Sequence, residues 1–473
     1  HPVLWGFLGA TLVAVMGNLQ GFLEVLYAGR LLPQSFWQWL DIKDINQPFD
    51  SAVVASLTPT RSGWWWWRAS RVIHDLDPLG ESMGIQPIDE FPGFSFLLGD
   101  MHPHVLALPF VLLALALALN ALLWGRDSTG LPSGTDGWLA ALKLPPSGVG
   151  LLFVSLCLGA LAFLNTWDFP IYWLVFLVAY GLGRWDRYGQ INRSVARDLA
   201  VTGGAVAVLG FLFYLPFYIG FQSQAGGLLP TIYVGTRFRQ YFVMFGPFLV
   251  AIAGFLAVLV LRLKREGSTG RLMANWAGWT AAFLLLPLVL MLLIIIVLLL
   301  TPQGREMVEG IRRIPAVYEI VGDASWGVLM TRLLTVKLRT WLMPLIVAAM
   351  AALGTALLQF SGPRNSMHER KEHRDTDALG DLPAPASQSD FTSSRAEGLL
   401  LGNPSVRFVL LCAVTGLLRT LSVEFIYLTD NFRVRMNTIF PFYFQAWIRM
   451  AVASAFAIYW LNRRRGWLRS AFQ

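Results

Sequence analysis

The sequence predicts an all-α, polytopic membrane protein of about ten transmembrane helices with a long first outer loop. Three observations carry that reading. Hydrophobic residues make up 55% of the 473 residues and charged residues only 14%, where a soluble domain carries about 25% charged. The apolar residues come in continuous runs rather than in alternation, which argues against a strand barrel. Arginines gather between the runs, so the net charge of +8 reads as membrane topology and not as a nucleic-acid surface. The partner this composition implies is the lipid bilayer. Cys157 and Cys412 both lie inside apolar runs, so no disulfide framework is expected.

A span needs about 20 mostly apolar residues. Candidate runs fall at 4–28, 104–124, 148–165, 170–183, 199–220, 241–262, 276–301, 340–360, 405–423 and 441–462. Residues 1–360 read as one transmembrane domain containing the outer loop 29–103. Segment 361–404 is polar and rich in Pro, Ser and charge, which reads as a disordered cytoplasmic linker. Residues 405–473 return to the membrane as C-terminal helices of the same domain. The chain begins at His1, already apolar, without an initiator Met or a signal peptide. It therefore reads as a fragment or a processed chain.

Orientation follows from the basic residues of the short loops. Arg184, Arg187, Arg193 and Arg197 fill one; Arg262, Lys264, Arg265 and Arg271 fill another; Arg463, Arg464, Arg465 and Arg469 fill the tail. With these on the cytoplasmic side of an inner (plasma) membrane, ten spans alternate. Segments 29–103, 166–169, 221–240, 302–339 and 424–440 then face outward. Arg312 and Arg313 in segment 302–339 run against this assignment.

The outer segments hold the unusual polar residues. Trp37, Trp39 and the run Trp64–Trp67 suit interfacial helices, since an indole needs both an apolar contact and a polar partner. They also suit a platform for a lipid or sugar ligand. Pro103 disfavours helix at His102 and suits a first helical position, so a helix is expected to start there with His102 as its cap. Asp100, His102 and His104 would then bracket a helix end that favours anions. The cluster suits a phosphate-bearing ligand, a general base or a divalent metal, Asp100, His102 and His104 having ligand-like spacing. A purely structural cap is the plainer reading. Asn165 to Pro170 reads as a tight turn, with Asp168 a weaker candidate. Gly226 and Gly227, after Gln222 and Gln224, give only a weak signal. In the last outer segment Asp430, Arg433 and Arg435 stand out. Arginine offers phosphate a planar fork of donors, and ion pairing with Asp430 or Glu424 is the structural alternative.

Several strings carry a family resemblance: FWQWLDIKDIN, WWWWRASRVI, EFPGFSFLLGDMHPHVLALPF, NTWDFPIYW, GFQSQAGG and RMNTIFPFYFQAW. Together the chain resembles the YYY-domain integral membrane proteins (the Chlor_Arch_YYY family) of chloroflexi and archaea, from about residue 8 to residue 450. Members carry a further N-terminal portion with a tyrosine-rich motif that this chain lacks. The plan is similar to the GT-C class of membrane glycosyltransferases, which have an outer-facing acidic catalytic residue and a polyprenyl-phosphate-linked sugar donor. Asp100-Met-His102-Pro103 looks like the Asp-x-His-Pro string of protein O-mannosyltransferases.

The resemblance implies a glycosyltransferase using a lipid-linked sugar on the extracytoplasmic side. Asp100 would act as general base with Glu90 in support. His102, His104, Asp430, Arg433 and Arg435 would bind substrate, or the imidazoles would hold a metal. A transporter or flippase of a lipid-linked substrate, with polar residues at the membrane midplane, and a non-enzymatic scaffold are the alternatives.

Overall fold

A computed structural model describes residues 2–49, 65–77, 80–83, 86–127, 148–222, 227–231, 234–265, 269–313, 318, 323–360, 402–429 and 434–463. The described residues are mostly helical, and the chain packs as two units. The first comprises residues 1–100, 223–354 and 412–473; the second comprises 101–222 and 355–411. The proposed linker, apart from 402–404, lies outside the described residues.

Among the described residues seven helices are long and apolar enough to cross a membrane. They are α6 (Leu108–Asp127), α9 (Arg193–Phe213), α11 (Phe238–Arg265), α12 (Thr269–Leu300), α15 (Leu342–Phe360), α16 (Pro404–Ser422) and α17 (Met436–Arg463). The remaining expected spans differ in kind. The run 4–28 is broken into α1 (Pro2–Ala14) and α2 (Gln20–Ala28). Asn18 causes part of that break: its Oδ1 accepts from the Gln20 N–H at 3.1 Å and its Nδ2 donates to the Ala69 carbonyl at 2.6 Å. Helix α7 (Gly148–Leu164) is apolar but shorter. Helix α8 (Asp168–Tyr188) has the length but ends in Arg184, Asp186 and Arg187.

Short elements join these. They are α3 (Gln34–Leu40), a single 3-10 stretch (Trp65–Ser70), α4 (Pro92–Leu98), α5 (Pro103–Leu106), α10 (Leu215–Gly220), α13 (Pro302–Arg312) and α14 (Trp326–Thr340). The tryptophan-rich strings therefore do form short helices, with Trp39 and Trp67 exposed. Strands β1 (Gly227–Pro230) and β2 (Ile426–Thr429) pair antiparallel, Gly227 opposite Thr429 and Pro230 opposite Ile426.

In the first unit Trp447 of α17 anchors the core. Its ring stacks on Phe91 at 4.9 Å and meets Phe248 edge-on at 4.8 Å, and its indole N–H donates to the Leu12 carbonyl at 3.1 Å. A second core gathers Tyr27, Trp37, Leu40, Ile42, Ile45, Val72 and Val243. It fixes α2, α3 and the start of α11 to one another, and these elements build the site described below. Helix α12 is apolar all round and largely exposed, as suits a helix facing lipid.

In the second unit glycines bring helices close. A Cβ on Gly125 of α6 would lie 2.7 Å from the Tyr180 carbonyl oxygen of α8, and one on Gly159 of α7 would lie 2.7 Å from the Gly210 carbonyl oxygen of α9. Such close approach supplies packing where lipid gives no hydrophobic drive. Arg184 and Asp198 form a fully buried ion pair at 2.6 Å, and Asp186 pairs with Arg407. Part of the basic loop counted for topology is therefore interior structure.

Candidate functional site: an arginine-lined cavity

The first unit holds a cavity of about 770 Å³. Leu19, Phe22 and Leu23 give one wall, Phe36 and Trp39 of α3 a second, and Phe238, Phe242 and Val243 of α11 a third. The polar lining is sparse and mostly cationic: Arg237, Arg239, Arg339 and His74, against Asp77. Space of this size with apolar walls and a few convergent polar groups is the usual form of a small-molecule site.

Local structure puts the charges there. Helix α11 begins at Phe238, and the N–H groups of Gln240 and Tyr241 close its first turn on the Arg237 carbonyl at 3.1 and 3.0 Å. The first N–H groups of a helix have no partner within it, and that end carries partial positive charge. Here the end itself lines the cavity. Arg239 lies over the Trp39 ring at 5.2 Å. Its Nε is buried without a hydrogen-bond partner among the described residues. Arg339, near the end of α14, is exposed beside Gly80, and among the described residues no carboxylate pairs with it. Gly80 turns a small hairpin at φ +93°, a backbone glycine adopts without strain. In that hairpin the Asp77 N–H donates to the Glu81 carbonyl at 2.9 Å and the Gly80 N–H donates to the Asp77 carbonyl at 3.0 Å.

The third arginine is engaged. Arg237 donates from Nη1 to Asp41 Oδ2 at 2.6 Å and from Nη2 to the His74 carbonyl at 2.9 Å. Asp41 Oδ2 also faces His74 Nδ1 at 3.1 Å, and His74 Nε2 faces Ser82 Oγ at 2.9 Å. Burial works to raise the Asp41 pKa. Hydrogen bonds from His74, Asn46 and Arg237 outweigh it and hold the carboxyl well below the usual carboxylate range. An ionised carboxylate can only accept, so the His74 Nδ1 carries a proton and donates it towards Asp41. The other ring nitrogen, Nε2, faces the Ser82 hydroxyl.

A second polar centre in the same unit is closed. Arg435 donates to Asp75 from Nε at 2.8 Å and Nη2 at 2.5 Å, and to Glu424 from Nη1 at 2.9 Å. Thr236 donates to Glu424 from its N–H at 2.8 Å and its Oγ1 at 2.5 Å. Lys337 Nζ donates to the carbonyls of Val234 and Glu424. Burial pushes the Lys337 amine down to about 8. Burial opposes ionisation of Glu424 too, but Arg435 and Lys337 outweigh it and lower its pKa. The centre holds two cations and two carboxylates, so it reads as structural.

The sequence-predicted residues fall as follows. Asp100 is half-buried just past α4, its N–H donating to the Ser95 carbonyl at 2.9 Å after the left-handed Gly99. Glu90 is buried, with Arg71 at 3.9 Å. Neither lines the cavity. His102 and His104 belong to the second unit and stack at 5.6 Å between ring centroids, His102 exposed and His104 buried. A helix does begin at Pro103 with His102 extended before it, but α5 is a single turn and the His102 side chain makes no capping hydrogen bond. Arg435, expected on a phosphate, has its donors on Asp75 and Glu424. Asp430 and Arg433 lie outside the described residues. Among the described residues no group of three or more His, Cys, Asp and Glu is placed to hold a metal ion. Asp168 accepts from Asn165 Nδ2 at 3.0 Å, in keeping with the turn reading.

Sequence reasoning passed over Asp41, His74, Arg237, Arg239 and Arg339. The signal was present: basic residues beside apolar runs in segments assigned to the outer side, the same argument applied to Arg433 and Arg435.

A family model described as "Uncharacterized membrane protein (DUF2298)" matches residues 1–449. The chain belongs to that family. It is thus a multi-pass membrane protein, and the family description assigns no activity. No curated protein and no solved structure matches it.

Proposed function

We propose that this chain is a membrane glycosyltransferase that takes a sugar from a polyprenyl-phosphate carrier on the extracytoplasmic side. One observation carries the reading: Arg239 and Arg339, which no carboxylate pairs with among the described residues, line the same largely apolar cavity as the N-terminal end of α11. A lipid phosphate has the matching halves, an apolar chain for Phe22, Phe36 and Phe242 and an anion for the arginines. The resemblance to GT-C enzymes supports the class. The basic loops favour placing the cavity outside, and the membrane would be the inner (plasma) membrane.

The chemistry follows from charge. Cleavage between the anomeric carbon and the phosphate oxygen adds negative charge to the leaving phosphate. Fixed cations beside that oxygen stabilise the transition state more than the ground state. The test uses the full-length chain in nanodiscs with undecaprenyl-phosphate mannose as probe and water as acceptor. Release of mannose and undecaprenyl phosphate, lost in an Arg239→Gln/Arg339→Gln variant, supports the reading. An intact probe after prolonged incubation with the wild-type protein contradicts it.

A further inference from the structure

We infer that His74 is the general base of this site and that the Ser82 hydroxyl marks where the acceptor hydroxyl is held. The inference rests on the transferase reading above. It is carried by geometry. His74 lines the cavity, Asp41 Oδ2 holds its Nδ1 at 3.1 Å, and its Nε2 already faces a hydroxyl, Ser82 Oγ, at 2.9 Å. A base must reach the proton it removes at hydrogen-bond distance and must present a lone pair to it. Asp41 meets the second condition by fixing the proton on Nδ1.

The backbone that carries the ring is held as well. The Gln240 Oε1 accepts from the His74 N–H at 3.3 Å, and Arg237 binds both the His74 carbonyl and Asp41. Asp41 and Arg237 contact His74, and the other charged groups that line the cavity with it are Asp77, Arg239 and Arg339. Its neighbour Asp75 turns to Arg435 and is neutralised there. In the step, the acceptor O–H proton moves to Nε2 and the acceptor oxygen bonds to the anomeric carbon. The carbon–phosphate-oxygen bond breaks, and the electron pair leaves on the polyprenyl phosphate between Arg239 and Arg339. Asp41 then faces an imidazolium. It is a positioning residue, as the acceptor does not reach it.

The test compares wild type, His74→Ala and Asp41→Asn as full-length chains in nanodiscs. Binding of undecaprenyl phosphate is measured first, then turnover of undecaprenyl-phosphate mannose against pH. The expected result is binding retained in both variants, and no weaker in Asp41→Asn, where Arg237 loses its carboxylate; retained binding also shows that they fold. For His74→Ala, kcat falls by about 10²–10⁴-fold, the usual contribution of a general base. The fall of rate towards acid pH expected of wild type is absent from it, and added imidazole restores part of the rate. Asp41→Asn lowers kcat without raising KM. Wild-type kcat in His74→Ala with the acid limb intact overturns the base assignment alone. Wild-type protein that binds the lipid phosphate and cleaves nothing overturns the transferase reading and this inference with it.

Discussion

Arg435 and Asp75, 360 residues apart in the chain, form a two-point ion pair at 2.5 and 2.8 Å inside the first unit. Both are almost fully buried. The pair ties the segment after the 3-10 turn to the start of α17, with Glu424 on the remaining arginine nitrogen. Removing the arginine would strand Asp75 without its cation and leave Glu424 with Lys337 and Thr236 alone. Arg435→Met is therefore expected to destabilise the unit by about 3–5 kcal/mol, the usual cost of breaking a buried pair from one side. Thermal unfolding of detergent-solubilised protein measures it, and a loss no larger than that of an exposed arginine substitution refutes the structural role.

Asp89 gives a pH-dependent prediction. It is fully buried and accepts from the Val72 and Ile73 N–H groups at 3.0 and 3.4 Å. Burial pushes its carboxyl up to about 7, with Arg71 and those N–H groups acting the other way. An acid whose folded pKa lies above its unfolded value favours the folded state when protonated. Its contribution is fully present below about pH 4, the ordinary aspartate value, and is lost as pH rises through about 7. Asp89→Asn should remove this part of the slope of Tm between those limits. An unchanged slope in the variant would show that Asp89 does not titrate there.

Helix packing in the second unit gives a third prediction. A Cβ on Gly159 would sit 2.7 Å from the Gly210 carbonyl oxygen, while a Cβ on Gly204 of the same partner helix meets nothing within 4 Å. Gly159→Val is expected to lower stability by about 1–3 kcal/mol through overpacking. Gly204→Ala should be neutral or stabilising, since alanine favours helix over glycine. Denaturation in mixed detergent compares the two. Equal effects would mean that α7 and α9 do not pack at this glycine contact.

Much of the architecture was legible because membrane helices write themselves as apolar runs. The helix start at Pro103 and the turn at Asn165–Asp168 were legible for local reasons: a fixed proline φ, and an Asn side chain within reach of an Asp. The break at 15–19 was not, because one of the two bonds that hold Asn18 there goes to the distant Ala69 carbonyl. The Arg435–Asp75 pair was hidden for the same reason, since long-range partners leave no trace in spacing. The ion pair of Arg435 with Glu424, eleven residues away, was one of the two readings the segment offered; the distant Asp75 was not legible. The cavity arginines were readable as misplaced positive charge, but only folding tells which of them lacks a counter-charge.

In the proposed function, Arg239 and Arg339 recognise the phosphate of a lipid. The most direct measurement is the affinity of the full-length chain in nanodiscs for undecaprenyl phosphate against undecaprenol. Wild type should prefer the phosphate. Arg239→Gln/Arg339→Gln should lose that preference by at least about tenfold per charge-assisted hydrogen bond removed, each contributing about 1.5–3 kcal/mol, with undecaprenol binding unchanged. A double variant that keeps the wild-type preference for the phosphate would contradict the account.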